Sequence, residues 1–378
     1  MTPGRNTRIL IVDDSAVMRS LLRAVVCAEE GLEVAGTAAD GESALSAIES
    51  LHPDLILLDV EMPVMDGLAT LRQMRARGYR MPVIMCSSLT QRGAQVTIEA
   101  LACGAADYVT KPAGQASREA ATRALAMDLI PRIRALTSRP QSQPQPSLPC
   151  AARSPLALPM PPAHKPQPVS STPVVLAIGV STGGPEALDL LLPALPANFP
   201  LPVLVVQHMP ELFTKLFAQR LDGQCRLRAR EAAEGDSVRA GTIYIARGNW
   251  HMEVLAASRP GQPPTLHLNQ GPLENHCRPA VDVLFRSAAA VYGSGVLALV
   301  LTGMGSDGLA GCRAIRERGG SVLVQDEATS TVWGMPGAVA NAGLAHQVLP
   351  LQAIVPEILR IAGRAGGGEA RELLRSAV

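Results

Sequence analysis

Short apolar, β-branched runs alternate along this chain with longer stretches of helical period, and the alternation breaks down near the middle. Four to six apolar residues bounded by polar or glycine-rich turns read as a strand buried on both faces. The amphipathic stretch that follows reads as a helix laid across it. In the N-terminal part the strand candidates are Arg8–Asp13, Glu33–Ala38, Leu55–Asp59, Pro82–Cys86 and Asp107–Val109. In the C-terminal part they are Val174–Gly179, Val203–Gln207, Thr242–Ala246, Val296–Leu301 and Ser321–Val324. Strands separated by helices form parallel sheets covered on both faces, so each half predicts a doubly wound α/β domain. Beyond this shared alternation the halves show no internal repeat.

The break falls between Arg139 and Pro173, where eleven prolines are interleaved with Ser, Gln and Ala, with three basic residues and no acid. Proline at this density neither sustains a helix nor donates to a central sheet, so an extended linker is expected. The expected plan is a first domain over 1–135, a Pro-rich linker over 136–173, a second domain over 174–365 and a tail over 366–378.

Composition narrows the classes of function. The 378 residues suit two domains, and 47% hydrophobic against 18% charged residues suffices for sizeable cores. Thirty-four basic against 33 acidic side chains leave a net charge of +1, and aromatics make up only 3%. Neither a basic field nor a stacking platform is there to recruit nucleic acid. No apolar run of about 18 residues predicts membrane insertion, and no signal-peptide pattern opens the chain, so a cytoplasmic location is expected. The seven cysteines are scattered without a CxxC pair and read as reduced thiols, mostly core fillers.

In an open parallel sheet, chemistry collects at the carboxyl ends of the strands. In the first domain these ends carry Asp13 and Asp14, Asp59, Ser87 and, after the fifth strand, Lys111. Any one of the acids could be a turn former or helix cap. Together they are carboxylates that repel one another unless a hard cation sits among them, which suits Mg²⁺. The runs ILIVDDS, LILLDVEMPVMDG, PVIMCSS and GAADYVTKP resemble the receiver domain of two-component response regulators, a flavodoxin-like fold. The resemblance implies that Asp59 accepts a phosphoryl group from a histidine kinase, with Mg²⁺ held by Asp14, Asp59 and the main-chain carbonyl of Glu61. Asp13 would support the metal, Lys111 and Ser87 would meet the phosphoryl oxygens, and Tyr108 would report the change.

In the second domain, VVLAIGVSTGGP lacks the second glycine of a dinucleotide loop but has the G-x-S-x-G spacing that exposes a serine between strand and helix. Two further strand ends lead to His208, in VVQHMP, and Asp307, in TGMGSDG. Chemically, Ser181 would attack, His208 would act as base and then acid, and Asp307 would orient the imidazole. His251, His267, His276 and His346 are rival bases, but none follows a hydrophobic strand. Asp282 and Asp326 rival Asp307, although the helical period around Asp282 suggests a surface or capping role. Thr182 and Met304 are candidate oxyanion donors in turns that glycines keep open.

The order Ser, His, Asp departs from the α/β-hydrolase order Ser, Asp, His. GVSTGGP, VVQHMP, CRPAVDVLF and LTGMGSDG, following a receiver-like domain and a linker, resemble the chemotaxis methylesterases over nearly the whole chain. The resemblance implies receiver-controlled hydrolysis of glutamate γ-methyl esters, and deamidation of particular glutamines, on methyl-accepting chemoreceptors, with no cofactor at the esterase site. Arg247 and Cys277 stand where that family usually has proline and histidine, which puts substrate contacts by His276 or Arg278 in doubt. Two other readings stay open: a receiver-controlled serine hydrolase acting outside chemotaxis, and a phosphorylation-dependent binding protein without turnover.

Overall fold

The computed structural model describes residues 5–88, 90–112, 117–137 and 172–363. The expected linker, but for its two ends, and the expected tail therefore lie outside the described residues.

The first domain runs β1 (Thr7–Val12), α1 (Ala16–Cys27), β2 (Leu32–Ala38), α2 (Gly41–Leu51), β3 (Leu55–Asp59), α3 (Gly67–Ala76), β4 (Val83–Ser87), α4 (Gln91–Ala102), β5 (Asp107–Thr110) and α5 (Arg118–Thr137). Its five strands are parallel in the order β2-β1-β3-β4-β5. Polar residues start the helices: the side chains of Ser15, Asp40, Asp66 and Thr90 accept N–H groups in the first turns of α1, α2, α3 and α4.

The second domain runs β6 (Val175–Val180), α6 (Gly184–Leu191), β7 (Val203–Gln207), α7 (Glu211–Asp222), β8 (Arg228–Glu231), β9 (Thr242–Ile245), β10 (His251–Leu255), β11 (Thr265–Asn269), α8 (Val281–Tyr292), β12 (Val296–Val300), α9 (Leu309–Glu317), β13 (Ser321–Gln325), α10 (Met335–Asn341), β14 (Gln347–Leu349) and α11 (Leu351–Ala362). Seven parallel strands lie in the order β14-β13-β12-β6-β7-β9-β8, and β10 and β11 form a separate antiparallel hairpin. All ten expected strands form, with ends shifted by at most one residue. The strands missed by pattern, β8, β10, β11 and β14, are short and partly exposed; in β8 only Ala229 is buried, so no apolar run announces it.

The domains do not sit apart. Helix α4 packs on α6 and α7, and one apolar cluster continues from Leu101 and Tyr108 into Leu188 and Phe213. The Tyr108 and Phe213 rings stack at 4.7 Å. Of the described cysteines only Cys86 and Cys312 are buried, which corrects the expectation of mostly core thiols.

Candidate active site

Strand β6 ends at the turn that carries Ser181. Its Gly179 lies between β12 and β7, and a Cβ there would come within 2.3 Å of the Val281 side chain on α8. The Ser181 N–H donates to the Thr302 carbonyl at 3.0 Å, which ties this turn to the loop after β12. Gly303 in that loop approaches so closely that a Cβ would stand 2.8 Å from that of Ser181. A second bond comes from β7, where Gln207 Nε2 donates to the Ser181 carbonyl at 3.0 Å.

The segments after three strands thus place Ser181 and His208 on one cavity and join His208 to Asp307. His208 Nε2 donates to Asp307 Oδ2 at 2.8 Å, which leaves Nδ1 as the nitrogen able to take a proton. Asp307 is buried, yet it is richly solvated by the protein. Oδ2 also accepts the Val281 N–H at 2.7 Å, and Oδ1 accepts those of Asp282 and Gly308 at 3.0 Å and Asn275 Nδ2 at 2.9 Å. Burial alone would raise its pKa; the bond and charge of His208 and the main-chain donors hold it below the ordinary carboxylate value. Burial acts against the imidazolium of His208, but bonds to Asp307 and to the Cys277 side chain outweigh it and push its pKa up to about 9.

A cavity of about 520 Å³ opens over this group, lined by Ser181, Thr182, His208, Cys277 and Met304, with Tyr108 and Arg132 on its far wall. Both candidate oxyanion residues, Thr182 and Met304, line this cavity with Ser181. The first domain reaches into the turn itself. The Ala106 carbonyl accepts the Gly183 N–H at 3.2 Å, and Asp107 Oδ2 accepts the Thr182 hydroxyl at 2.6 Å. Arg132 of α5 pairs with the same Asp107 oxygen at 3.2 Å.

Most of the rival residues have other occupations. His251 is buried, with Nε2 on the Pro272 carbonyl and Nδ1 accepting the Ala280 N–H. His346 accepts the Val322 N–H, and His267 pairs with Glu234. Asp326 accepts the N–H and hydroxyl of Thr329. Arg278 donates to Asn249 and to the carbonyls of Gln270 and Gly271, whereas His276 lines the cavity. Arg247 pairs with Glu211 and lies over the Trp250 ring. Of the surface or capping role expected for Asp282 the surface part is wrong: its side chain is buried, and its Oδ1 accepts the Gly311 N–H in the first turn of α9 at 2.6 Å.

At the other sheet, Asp13, Asp14 and Asp59 offer carboxylate oxygens within 4.8 Å of one another. Lys111 Nζ reaches Asp13 at 2.8 Å and Asp59 at 2.7 Å. Burial raises the pKa of Asp59, and Lys111 opposes that shift. Ser87 is buried and accepts the Thr97 hydroxyl of α4 at 2.8 Å. The Glu61 side chain turns away to Arg92. A hard-oxygen donor set with one ammonium beside it fits a magnesium ion.

Fold and sites define a response regulator whose receiver is fused to a hydrolase domain. The family descriptions CheB methylesterase and Response regulator receiver domain match residues 176–358 and 9–123. A protein-glutamate methylesterase/protein-glutamine glutaminase of Trichodesmium erythraeum is 47% identical over 94% of this chain and 99% of its own. One from a Nocardioides species is 50% identical over 93% of this chain and 94% of its own. The crystal structure of the Thermotoga maritima CheB methylesterase catalytic domain, 40% identical, covers 50% of this chain and 100% of its own with a TM-score of 0.48. The chain belongs to the protein-glutamate methylesterase/protein-glutamine glutaminase family and is an enzyme of that activity.

Proposed function

We propose that Ser181 hydrolyses glutamate γ-methyl esters on chemoreceptors through an acyl-enzyme, under control of phosphorylation at Asp59. The observation that carries this reading is the His208–Asp307 bond beside the Ser181 turn, in a cavity walled by the receiver. Neutral His208 takes the Ser181 proton at Nδ1 as Oγ attacks the ester carbonyl. Main-chain N–H groups of Thr182 and Met304 receive the oxyanion. The tetrahedral adduct collapses, the C–O bond to methanol breaks, and the imidazolium returns its proton to the leaving group. Water then attacks the acyl-enzyme by the same relay, freeing glutamate and Ser181. With a glutamine substrate the leaving group is ammonia.

Control would run through the contacts of Ala106 and Asp107 with the nucleophile turn. The Asp14 and Asp59 carboxylates and the Glu61 carbonyl would hold Mg²⁺, which when bound neutralises phosphoryl oxygens. Lys111 and Ser87 would meet the phosphoryl group, and the bond of Ser87 to Thr97 links that event to α4, which packs on the second domain. A histidine kinase would donate the phosphoryl group, and the protein would act in the cytoplasm; among the described residues no helix is long and apolar enough to cross a membrane. The test is methanol release from methyl-labelled receptor membranes, with and without a small phosphodonor and Mg²⁺. Release that depends on Ser181 and rises on phosphorylation supports the reading; release by folded Ser181→Ala at the wild-type rate overturns it.

A further inference from the structure

Asp282 is a buried carboxylate with no part in the chemistry above. Its Oδ1 accepts the Gly311 N–H at 2.6 Å, and its Oδ2 accepts Asn275 Nδ2 at 3.0 Å. The same Asn275 nitrogen donates to Asp307 Oδ1 at 2.9 Å. The two acids meet where the first turns of α8 and α9 converge, and their donors come from both helices. Burial and the neighbouring Asp307 raise the pKa of Asp282. Two anions this close need a shared donor, and one that brings no titrating charge of its own. A primary amide has two N–H groups and does not ionise, so it serves both carboxylates at once.

The backbone presents that amide at some conformational cost. Asn275 has φ of 50°, a left-handed conformation that asparagine tolerates better than most residues. Its turn is closed by reciprocal main-chain bonds between Glu274 and Cys277, and Glu274 is gripped by Arg286 of α8. The same turn carries Cys277 to His208, so one short loop touches both the base and its carboxylate.

We propose that Asn275 is a positioning residue of the esterase site, its amide spanning Asp282 and Asp307 to fix the carboxylate against His208 Nε2. This rests on the hydrolytic reading of Ser181, His208 and Asp307. In the full-length protein, Asn275→Ala lowers kcat for methanol release from methyl-labelled receptor membranes by about ten- to a hundredfold, the scale on which a lost hydrogen bond to a charged group counts. KM stays close to wild type, and the protein stays folded at the assay temperature although the two buried carboxylates lose their shared donor. The proton NMR signal of the His208 Nε2–H shifts or broadens in Asn275→Ala. Asn275→Gln, which keeps two donors, recovers part of both losses.

Activity of Asn275→Ala within about threefold of wild type, with an unchanged imidazole signal, overturns the proposal. A raised KM with that signal unchanged assigns Asn275 to substrate contact instead. A lowered thermal midpoint without rescue by Gln reduces it to a structural turn residue. Ser181→Ala, run alongside, separates the two readings: if it still releases methanol, the hydrolytic reading fails, whereas the imidazole signal judges Asn275 whatever the turnover.

Discussion

At the scale of single residues, the acid and base roles rest on how burial and neighbours set each charge. Ser181→Ala, His208→Ala and Asp307→Ala should each lower turnover by about three orders of magnitude or more while the protein stays folded, because the three act as a unit. Receptor demethylation with circular dichroism as the folding control checks this. His251→Gln should cost far less, since both nitrogens of His251 serve the main chain. The pH dependence has a definite sign. In its proposed role as a base His208 must be neutral, and its pKa is pushed up to about 9, so activity should climb as pH rises toward and through that value. Removing the sulfur in Cys277→Ala takes away one group that favours the imidazolium. The climb should move to lower pH, and a pH-rate profile unmoved by that substitution would count against the contact.

At the scale of elements, parallel strands deliver their reactive groups at one edge, and glycines let the connecting turns close over them. Gly67, the first residue of α3, sits so close to the end of β3 that a Cβ would lie 2.0 Å from the Asp59 carbonyl oxygen. Backbone cannot yield there as a flexible side chain would. Gly67→Ala should therefore destabilise the receiver by about 1–3 kcal/mol and slow phosphoryl uptake by displacing Asp59. Asp59→Asn should abolish uptake from a small-molecule donor, and chelating Mg²⁺ should do the same to wild type. Radiolabel incorporation measures all three, and labelling of folded Asp59→Asn to the wild-type extent would remove Asp59 from its proposed role.

At the scale of the whole molecule, the receiver meets the nucleophile turn through a bond set that a single substitution can loosen. Asp107 accepts the buried Thr182 hydroxyl and pairs with Arg132, and its neighbour Ala106 accepts the Gly183 N–H. A hydrogen bond to a charged group contributes about 1.5–3 kcal/mol, and each tenfold shift in population requires about 1.4 kcal/mol. Asp107→Ala should then raise the unphosphorylated rate on receptors by about ten- to a hundredfold and shrink the further gain from phosphorylation. Demethylation assays with and without phosphodonor measure both. An unchanged basal rate would show that this contact does not limit access to Ser181.

Much of this protein is legible along the chain because its reactive groups belong to local patterns. Asp59 directly ends an apolar strand, Ser181 follows one in a glycine-rich turn, and His208 succeeds Gln207 at the end of β7. Apolar runs and the turns after them are short-range features, so a linear reading finds them. The partners that give these groups their properties are long-range. The sequence suggested a surface or capping role for Asp282 because a helical period says which positions share a face, and only the packing of α8 on α9 decides that its carboxylate is buried. Asn275 bonds to Asp307 across 32 positions, and Thr182 to Asp107 across 75. Sequence alone determined ten strands of the two parallel sheets and the polar residues that follow them. Tertiary structure alone decided which amide holds the carboxylate, which thiol touches the base and which receiver residues stand over the serine, because bonds between distant segments leave no periodic trace in the chain that makes them.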